Sequence, residues 1–312
     1  MKSASLQRTL HAVLLVGAPL SLAGCWGSSC PDNGVEPPLA ASKSVSADFA
    51  NGGQLDAQQC EQVCRTEFEG TVVTCVRESA ESVLCLTQPP PCEGRRPVGL
   101  KRAMHGAQTG FACHLADAAW LEAASVDAFQ LLRRELRAVG APRRLLRAAS
   151  RSARDERRHA RIAGALARRF SVAVPAVERA AAPLRSLTEL ALENAVEGCV
   201  RETWGALMAL RQAARASDLG VRAAMSRIAP DEVRHAELAW AIDRWLGRRL
   251  NAEQRRQVRS ARVAAFAELA RELKQELPIA ERTRLGLPGR DEAALMWAEL
   301  SRLTAHEANA VS

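Results

Sequence analysis

The chain has 312 residues, of which 47% are hydrophobic, only 4% are aromatic and none is Tyr. A core of Ala, Leu and Val favours closely packed helices over a β-sandwich, and the lack of Tyr excludes a tyrosyl-radical mechanism. The formal net charge of +8 is almost all Arg spread over helical stretches, with Lys only at 2, 43, 101 and 274, so it describes a solvated surface and no nucleic-acid partner.

Lys2 and Arg8 precede an apolar run from His11 to Ala23 that ends Leu22-Ala23-Gly24-Cys25. The run is too short to cross a membrane as a helix and reads as an export signal over residues 1–24. Its last four residues resemble a bacterial lipobox. That resemblance implies cleavage before Cys25 and a lipid on Cys25. It places the protein on the cell envelope, facing the periplasm, anchored at the outer membrane. The alternative is an ordinary signal peptide that ends by chance at a cysteine. No later stretch reaches 18 apolar residues.

Residues 25–54 are rich in Gly, Ser, Pro, Ala and Asp without periodicity, the composition of a flexible spacer. Residues 55–98 hold Cys60, Cys64, Cys75, Cys85 and Cys92, with Cys30 upstream and Cys113 downstream. A segment this small cannot build its own core, so in an oxidising compartment disulfides are the expected staples. Gln58 to Thr66 suits one or two helical turns, and 71–76 with 82–86 alternate like the strands of a hairpin. A zinc site is the rival reading, but no paired C-x-x-C occurs. Counting cannot assign the pairing, and Cys199 lies far away in a helical stretch. Pro89-Pro90-Pro91 and Gly94-Arg95-Arg96-Pro97 form a rigid connector.

From about 111 to 139, Leu115, Ala118, Leu121, Val126, Phe129, Leu132 and Leu136 recur at helical spacing. Glu122 shares the inward stripe with Ser125, Val126, Phe129 and Leu136, where an unpaired carboxylate would be costly. Gly140-Ala141-Pro142 ends this helix and opens a second over about 142–169. Pro175 and Pro183 mark 170–185 as a non-helical crossover. The second helix is about 42 Å long at its usual rise, and the crossover reaches about 50 Å when extended. It can therefore run the length of a bundle, giving one long connection instead of a simple up-down order.

Ser186-Leu187-Thr188-Glu189 has the form of a capping box opening a third helix to about 216. Asp218 caps a fourth that runs to Gly247, with Pro230 expected to kink it. Amphipathic stretches at about 251–276 and 290–307 follow. The expected fold is all-α: a four-helix bundle with one long crossover over 99–247, two extra C-terminal helices within 248–312, and the small Cys-rich module.

Two six-residue phrases organise the chain: Asp155-Glu156-Arg157-Arg158-His159-Ala160 and Asp231-Glu232-Val233-Arg234-His235-Ala236. Residues three apart share a helix face, so each Glu-x-x-His offers one metal ion a carboxylate and an imidazole. Each phrase follows a helix with its own inward Glu. Glu122 precedes Glu156 by 34 residues; Glu197 precedes Glu232 by 35 and Glu202 by 30. Glu197 is preferred as the ligand of the third helix, because it shares a stripe with Val200 and Trp204; Glu202 stays open. The expected metal ligands are Glu122, Glu156, His159, Glu197, Glu232 and His235. Asp155 and Asp231 are placed to accept the second N–H of the opposite hairpin's His. Bridging carboxylates damp the repulsion between two iron ions, with manganese or a mixed pair as the alternative.

These phrases, with Cys92-Glu93-Gly94-Arg95-Arg96-Pro97, Glu122-Ala123-Ala124-Ser125-Val126, Gly140-Ala141-Pro142 and Glu197-Gly198-Cys199-Val200-Arg201-Glu202-Thr203, resemble the ferritin-like di-iron superfamily of bacterioferritin and rubrerythrin. More narrowly they resemble exported ferritin-like lipoproteins of myxobacterial type. The resemblance covers about half the chain. It implies a di-iron oxidoreductase acting on O₂ or peroxide, of ferroxidase or peroxidase kind. The alternatives are a metal buffer or sensor without turnover, or a structural lipoprotein with a degenerate site. No C-x-x-C pair follows the bundle, so rubrerythrin's electron-transfer iron site is absent.

Overall fold

The structure, a computed structural model, describes residues 3–16, 40–44, 72–77, 82–87, 95, 97, 100, 110–178, 183–273 and 277–309. It is mostly helical, and the chain divides into two compact units: Met1–Cys30 with Cys92–Ser312, and Pro31–Pro91.

The smaller unit holds three antiparallel strands in the order β1-β3-β2: β1 (Ala40–Ser44), β2 (Val72–Arg77) and β3 (Ser82–Thr87). The expected hairpin is β2 with β3, and its register sets Cys75 opposite Cys85. β1 pairs with β3 from Ala40 opposite Leu86 to Ser44 opposite Ser82, so part of the stretch read as spacer supplies a strand. Cys25, Cys30, Cys60, Cys64, Cys92 and the helical turns expected at 58–66 lie outside the described residues. So does the side chain of Cys113, whose backbone is helical.

The larger unit starts with α1 (Ser3–Val16), a segment the sequence reads as an address. In the full-length chain its Leu6, Leu10 and Val13 are buried against Trp204, Leu207, Trp240, Phe266 and Met296. Among the described residues no helix is long and apolar enough to cross a membrane.

Two long helices follow, α2 (Gly110–Ala138) and α3 (Arg143–Arg169), joined by a turn in which Gly140 takes a positive φ of 73°. That conformation costs a side chain most and Gly least. Pro142 stands at the N-cap, one position before the first helical residue, where a missing N–H costs nothing. After the crossover, α4 (Leu187–Glu193) opens on the expected capping box: Ser186 accepts from the Glu189 backbone, and Glu189 returns the bond.

The third helix was expected to run unbroken. Instead nine residues, Asn194–Glu202, are wound as π-helix before α5 (Thr203–Arg215) resumes. The wedge behind this unwinding is tertiary. The Asn194 amide donates to the Ala239 carbonyl at 3.0 Å, and a Cβ on Gly198 would lie 2.8 Å from the Ala239 Cβ. Only glycine lets the two backbones approach this closely. Trp240 Nε1 donates to Thr203 Oγ1, which donates to the Cys199 carbonyl.

α6 (Leu219–Gly247) is capped by Asp218, which accepts from Gly220 and Val221, and it continues helical through Pro230. α7 (Ala252–Glu272), α8 (Ile279–Leu285) and α9 (Arg290–Asn309) complete the unit. α7 lies along the π-helical segment, where Arg201 forks onto Glu272 at 2.7 and 2.9 Å.

Two apolar clusters bracket the middle of α2, α3 and α6. One gathers Phe129, Leu132, Leu145, Ala149, Leu238 and Ile242; the other Phe111, Leu115, Leu166, Val221 and Ile228. The stretches between them hold Glu122, Glu156, His159, Glu232 and His235. Polar groups placed between two dry plugs are cut off from bulk water.

Candidate metal centre

The larger unit buries a carboxylate and imidazole cluster. His159 and His235 have fully buried side chains; Glu156 is 3% exposed, Glu202 1%, Glu232 12% and Glu122 19%. Two groups of ligand atoms, each within 4.8 Å of one another, emerge: Glu122, Glu156, His159 and Glu232, then Glu202, Glu232 and His235. Buried carboxylates at this density need cations to offset their repulsion.

Both imidazoles turn Nδ1 inward. His159 Nδ1 lies 2.9 Å from Glu232 Oε1, 3.3 Å from Glu122 Oε2 and 3.7 Å from Glu156 Oε2. His235 Nδ1 lies 3.0 Å from Glu156 Oε1, 3.5 Å from Glu232 Oε1 and 4.0 Å from Glu202 Oε2. Despite these distances, His159 Nδ1, His235 Nδ1, Glu202 Oε2 and Glu232 Oε1 make no directional hydrogen bond. Buried polar atoms without partners that converge on one space suit the donors of a cation, so these residues could hold a metal ion. Glu156 offers a different oxygen to each ring, and Glu232 offers one oxygen to both. Glu156 and Glu232 thus each face both imidazoles, while Glu122 faces His159 and Glu202 faces His235.

The outer nitrogens face the other phrase. His159 Nε2 is 3.1 Å from Asp231 Oδ2, and His235 Nε2 is 3.7 Å from Asp155 Oδ2. The hydrogen bond expected from sequence is made by His159 and Asp231, whereas His235 Nε2 faces Asp155 beyond hydrogen-bond distance and has no partner. An Nε2–H donated to Asp231 fixes the His159 tautomer and frees Nδ1 for a metal. The sequence reading missed two supporting side chains. Arg158 pairs with Asp155 at 3.2 Å and with Asp231; Arg234 pairs with Asp231, and with Asp155 at 3.3 Å. The available signal was an Arg at the same place in both phrases.

The third helix presents Glu202 to the cluster. Glu197, the preferred ligand from sequence, lies apart with its Oε1 3.8 Å from Arg201 Nε. Two causes combine. The π-helical winding rotates the face, and the α5–α6 hairpin spends 30 residues between its carboxylates against 34 in α2–α3. The difference is about one helical turn, which keeps the carboxylate inward.

Electrostatics without a metal follow from this crowding. Burial pushes the Glu202 carboxyl up to about 8, and the nearby Glu232 charge adds to the rise. Burial, joined by Glu156, also holds Glu122 well above the usual carboxylate range. Burial would lower His159, but the carboxylates of Glu122, Glu156 and Glu232 outweigh it and raise the ring to about 12. His235 is raised for the same reason by Glu232 and Glu156. Burial would raise Glu232, yet the two imidazoles win and hold it low. Protons here occupy positions that divalent ions would take.

Arg95 stands behind the cluster: its guanidinium forks onto Glu193 at 2.6 and 3.0 Å and lies 5.7 Å from the centre of the Phe129 ring, itself 4.9 Å from His235. Cys199 is a buried thiol that burial holds far above its usual range, so it is chemically quiet. Comparison with protein-family models, with curated proteins and with solved structures finds no match.

Proposed function

We propose that the chain is an exported ferritin-like di-iron protein, lipid-anchored through Cys25, that works as an oxidoreductase on O₂ or peroxide. In this reading α2, α3, the composite third helix and α6 are a four-helix bundle with one long crossover, and the cysteines of the smaller unit are disulfide-bonded. The observation that carries it is the pair of carboxylate–imidazole groups sharing Glu232, with unpartnered ligand atoms converging between them. Glu122, Glu156, His159, Glu202, Glu232 and His235 would hold the metals; manganese or a mixed pair suits the same donors.

Two ferrous ions, when bound, supply the two electrons that turn peroxide and two protons into two waters. The residues prepare this. Asp231 accepts from His159 and orients its ring, while Asp155 faces His235. The clusters on either side exclude water. Glu122, the most exposed ligand, marks the side from which a small oxidant reaches the centre.

The metal buffer or sensor is the second reading, favoured by the near-complete burial of both imidazoles and of Glu202. The test is to express the chain in an oxidising compartment, measure metal per chain, and follow O₂ and peroxide consumption by the ferrous form. Two irons with rapid consumption support the oxidoreductase. Tight metal without turnover leaves the buffer. Absence of stoichiometric metal in fresh protein, with no difference in Glu156→Ala or His235→Ala, rejects both.

A further inference from the structure

α3 concentrates the positive charge that the sequence spreads over many helices. It carries ten arginines and two acids, and both acids, Asp155 and Glu156, are buried on its inner side. At about 100° and 1.5 Å per residue, Arg143, Arg147, Arg154, Arg157, Arg161 and Arg168 fall within an arc of roughly 80° along about 37 Å of helix. All six are exposed, and only Ser150 and Ala165 share the arc with them. The ion pairs of α3 belong to Arg151 and Arg158, on the flank toward Asp155. Among the described residues none of the six pairs with a carboxylate; Arg161 Nε donates to the Arg157 carbonyl of its own helix. Like charges three and four residues apart, as in Arg143–Arg147, Arg154–Arg157 and Arg157–Arg161, oppose the helix. A layer of anions laid against this face would relieve that repulsion.

We propose that this face of α3 docks on an anionic phospholipid bilayer, its guanidinium groups forking onto headgroup phosphates. The arginines follow one line along the helix, which suits a planar partner. No aromatic side chain stands among them to stack on nucleic-acid bases, and no large apolar one to key into the groove of a protein. The choice of a bilayer rests on the exported, lipid-anchored reading: a chain tethered at Cys25 meets headgroups at high effective concentration, where individually weak contacts suffice. Glu156 and His159 lie on the opposite side of α3 from the stripe, so docking leaves the helix between the headgroups and the carboxylate–imidazole cluster. The stripe itself does not depend on a metal or on α1.

The test is flotation of the full-length chain carrying Cys25→Ser, which cannot be lipidated there, with vesicles of phosphatidylcholine alone or with about 30% phosphatidylglycerol. Binding to the anionic vesicles only, lost in about 1 M salt, is expected. Each arginine near such a surface is worth about fivefold in affinity, so Arg143→Gln, Arg147→Gln and Arg154→Gln together should weaken binding roughly a hundredfold. Their thermal melt should be no lower than the parent's, and the matching Lys triple should keep most of the binding. Changing Arg256, Arg259 and Arg271, exposed on α7, to Gln removes the same charge elsewhere and should leave most of the binding in place. Equal binding to neutral vesicles, equal loss in the two Gln triples, or tighter binding of a duplex DNA fragment overturns the proposal. Failure of the lipid-anchored reading shows separately, as a parent chain whose Cys25 carries no acyl mass.

Discussion

Replacing Glu202 by Gln should change the metal-loaded and metal-free proteins in opposite directions. Gln keeps the shape of the side chain but cannot ionise. In the metal-free protein burial lifts the Glu202 carboxyl from an ordinary 4.5 to about 8. A carboxyl raised on folding contributes its full stability below the unfolded value and loses it as pH climbs toward the folded one. At pH 7 the penalty is roughly 3 kcal/mol, at about 1.4 kcal/mol per pH unit. Metal-free Glu202→Gln should therefore be more stable than the parent by up to about 3 kcal/mol at pH 7. Near pH 4 the two should coincide. Loaded with metal the order reverses, because a ligand is gone and the second ion binds at least about a hundredfold more weakly. Urea unfolding of chelator-stripped protein at pH 4.5, 7 and 8, with metal analysis of the loaded forms, reads both effects. Glu197→Gln is the control: its carboxylate lies 3.8 Å from Arg201 Nε, outside the cluster, and the change should leave metal content intact. The reasoning fails if Glu197→Gln loses an ion while Glu202→Gln keeps two, or if the stability gap does not move with pH.

Asp231→Asn should weaken metal binding roughly 10- to 100-fold, and Asp155→Asn by less, since the His159–Asp231 contact is 3.1 Å against 3.7 Å for His235–Asp155; competition with a chelator ranks them. His159, raised to about 12 without metal, carries its proton at neutral pH and must shed it from Nδ1 to bind an ion. The metal-free protein thus has this stabilisation in full below the unfolded value of 6.5 and loses it as pH rises toward 12, while metal affinity rises with pH. Calorimetry of zinc binding in buffers of different ionisation heat should show net proton release at pH 7; proton uptake would contradict the assignment. Gly198→Ala drives a Cβ to 2.7 Å from Asn194 Oδ1 and 2.8 Å from the Ala239 Cβ, and should destabilise by about 1–3 kcal/mol in a thermal melt.

The helices were legible because their signals are local. The capping box at Ser186, the Asp218 cap, the Gly140 turn and the prolines of the crossover each act within a few residues. Four of the clustered carboxylates and imidazoles were legible for the same reason, since Glu-x-x-His is one turn of helix, and Glu122 stood out on an apolar stripe. Glu197 was preferred over Glu202 because it shares an α-helical stripe with Val200 and Trp204, and the π-helical winding of Asn194–Glu202 breaks that stripe. Neither the π-helical winding nor the shorter hairpin is written locally: the wedge is Asn194 reaching Ala239 across the seam, a contact 45 residues away in sequence. β1 was hidden because Ala40–Ser44 has no alternation of its own and gains strand character only by pairing with β3. The packing of α1 was set aside because the same apolar residues serve an export signal and a helix face equally well.

The repeated phrase does more than deliver two Glu-x-x-His pairs. Its Asp, Arg and His are spaced so that each copy completes the other: Asp231 receives His159 and Arg158, and Asp155 faces His235 and receives Arg234. Glu232 approaches His159, and Glu156 approaches His235, in the same crossed sense. Each arginine also turns back on the Asp of its own helix. Two aspartates buried between helices would repel each other strongly if left alone, and two guanidinium groups shared between them remove that cost. The polar seam thus locks the register of α3 against α6 at the height of the carboxylates, and a one-residue slip would break every crossed contact together. Register and ligand geometry are therefore one constraint. That is why the phrase recurs as a block of six residues and not as a bare Glu and His.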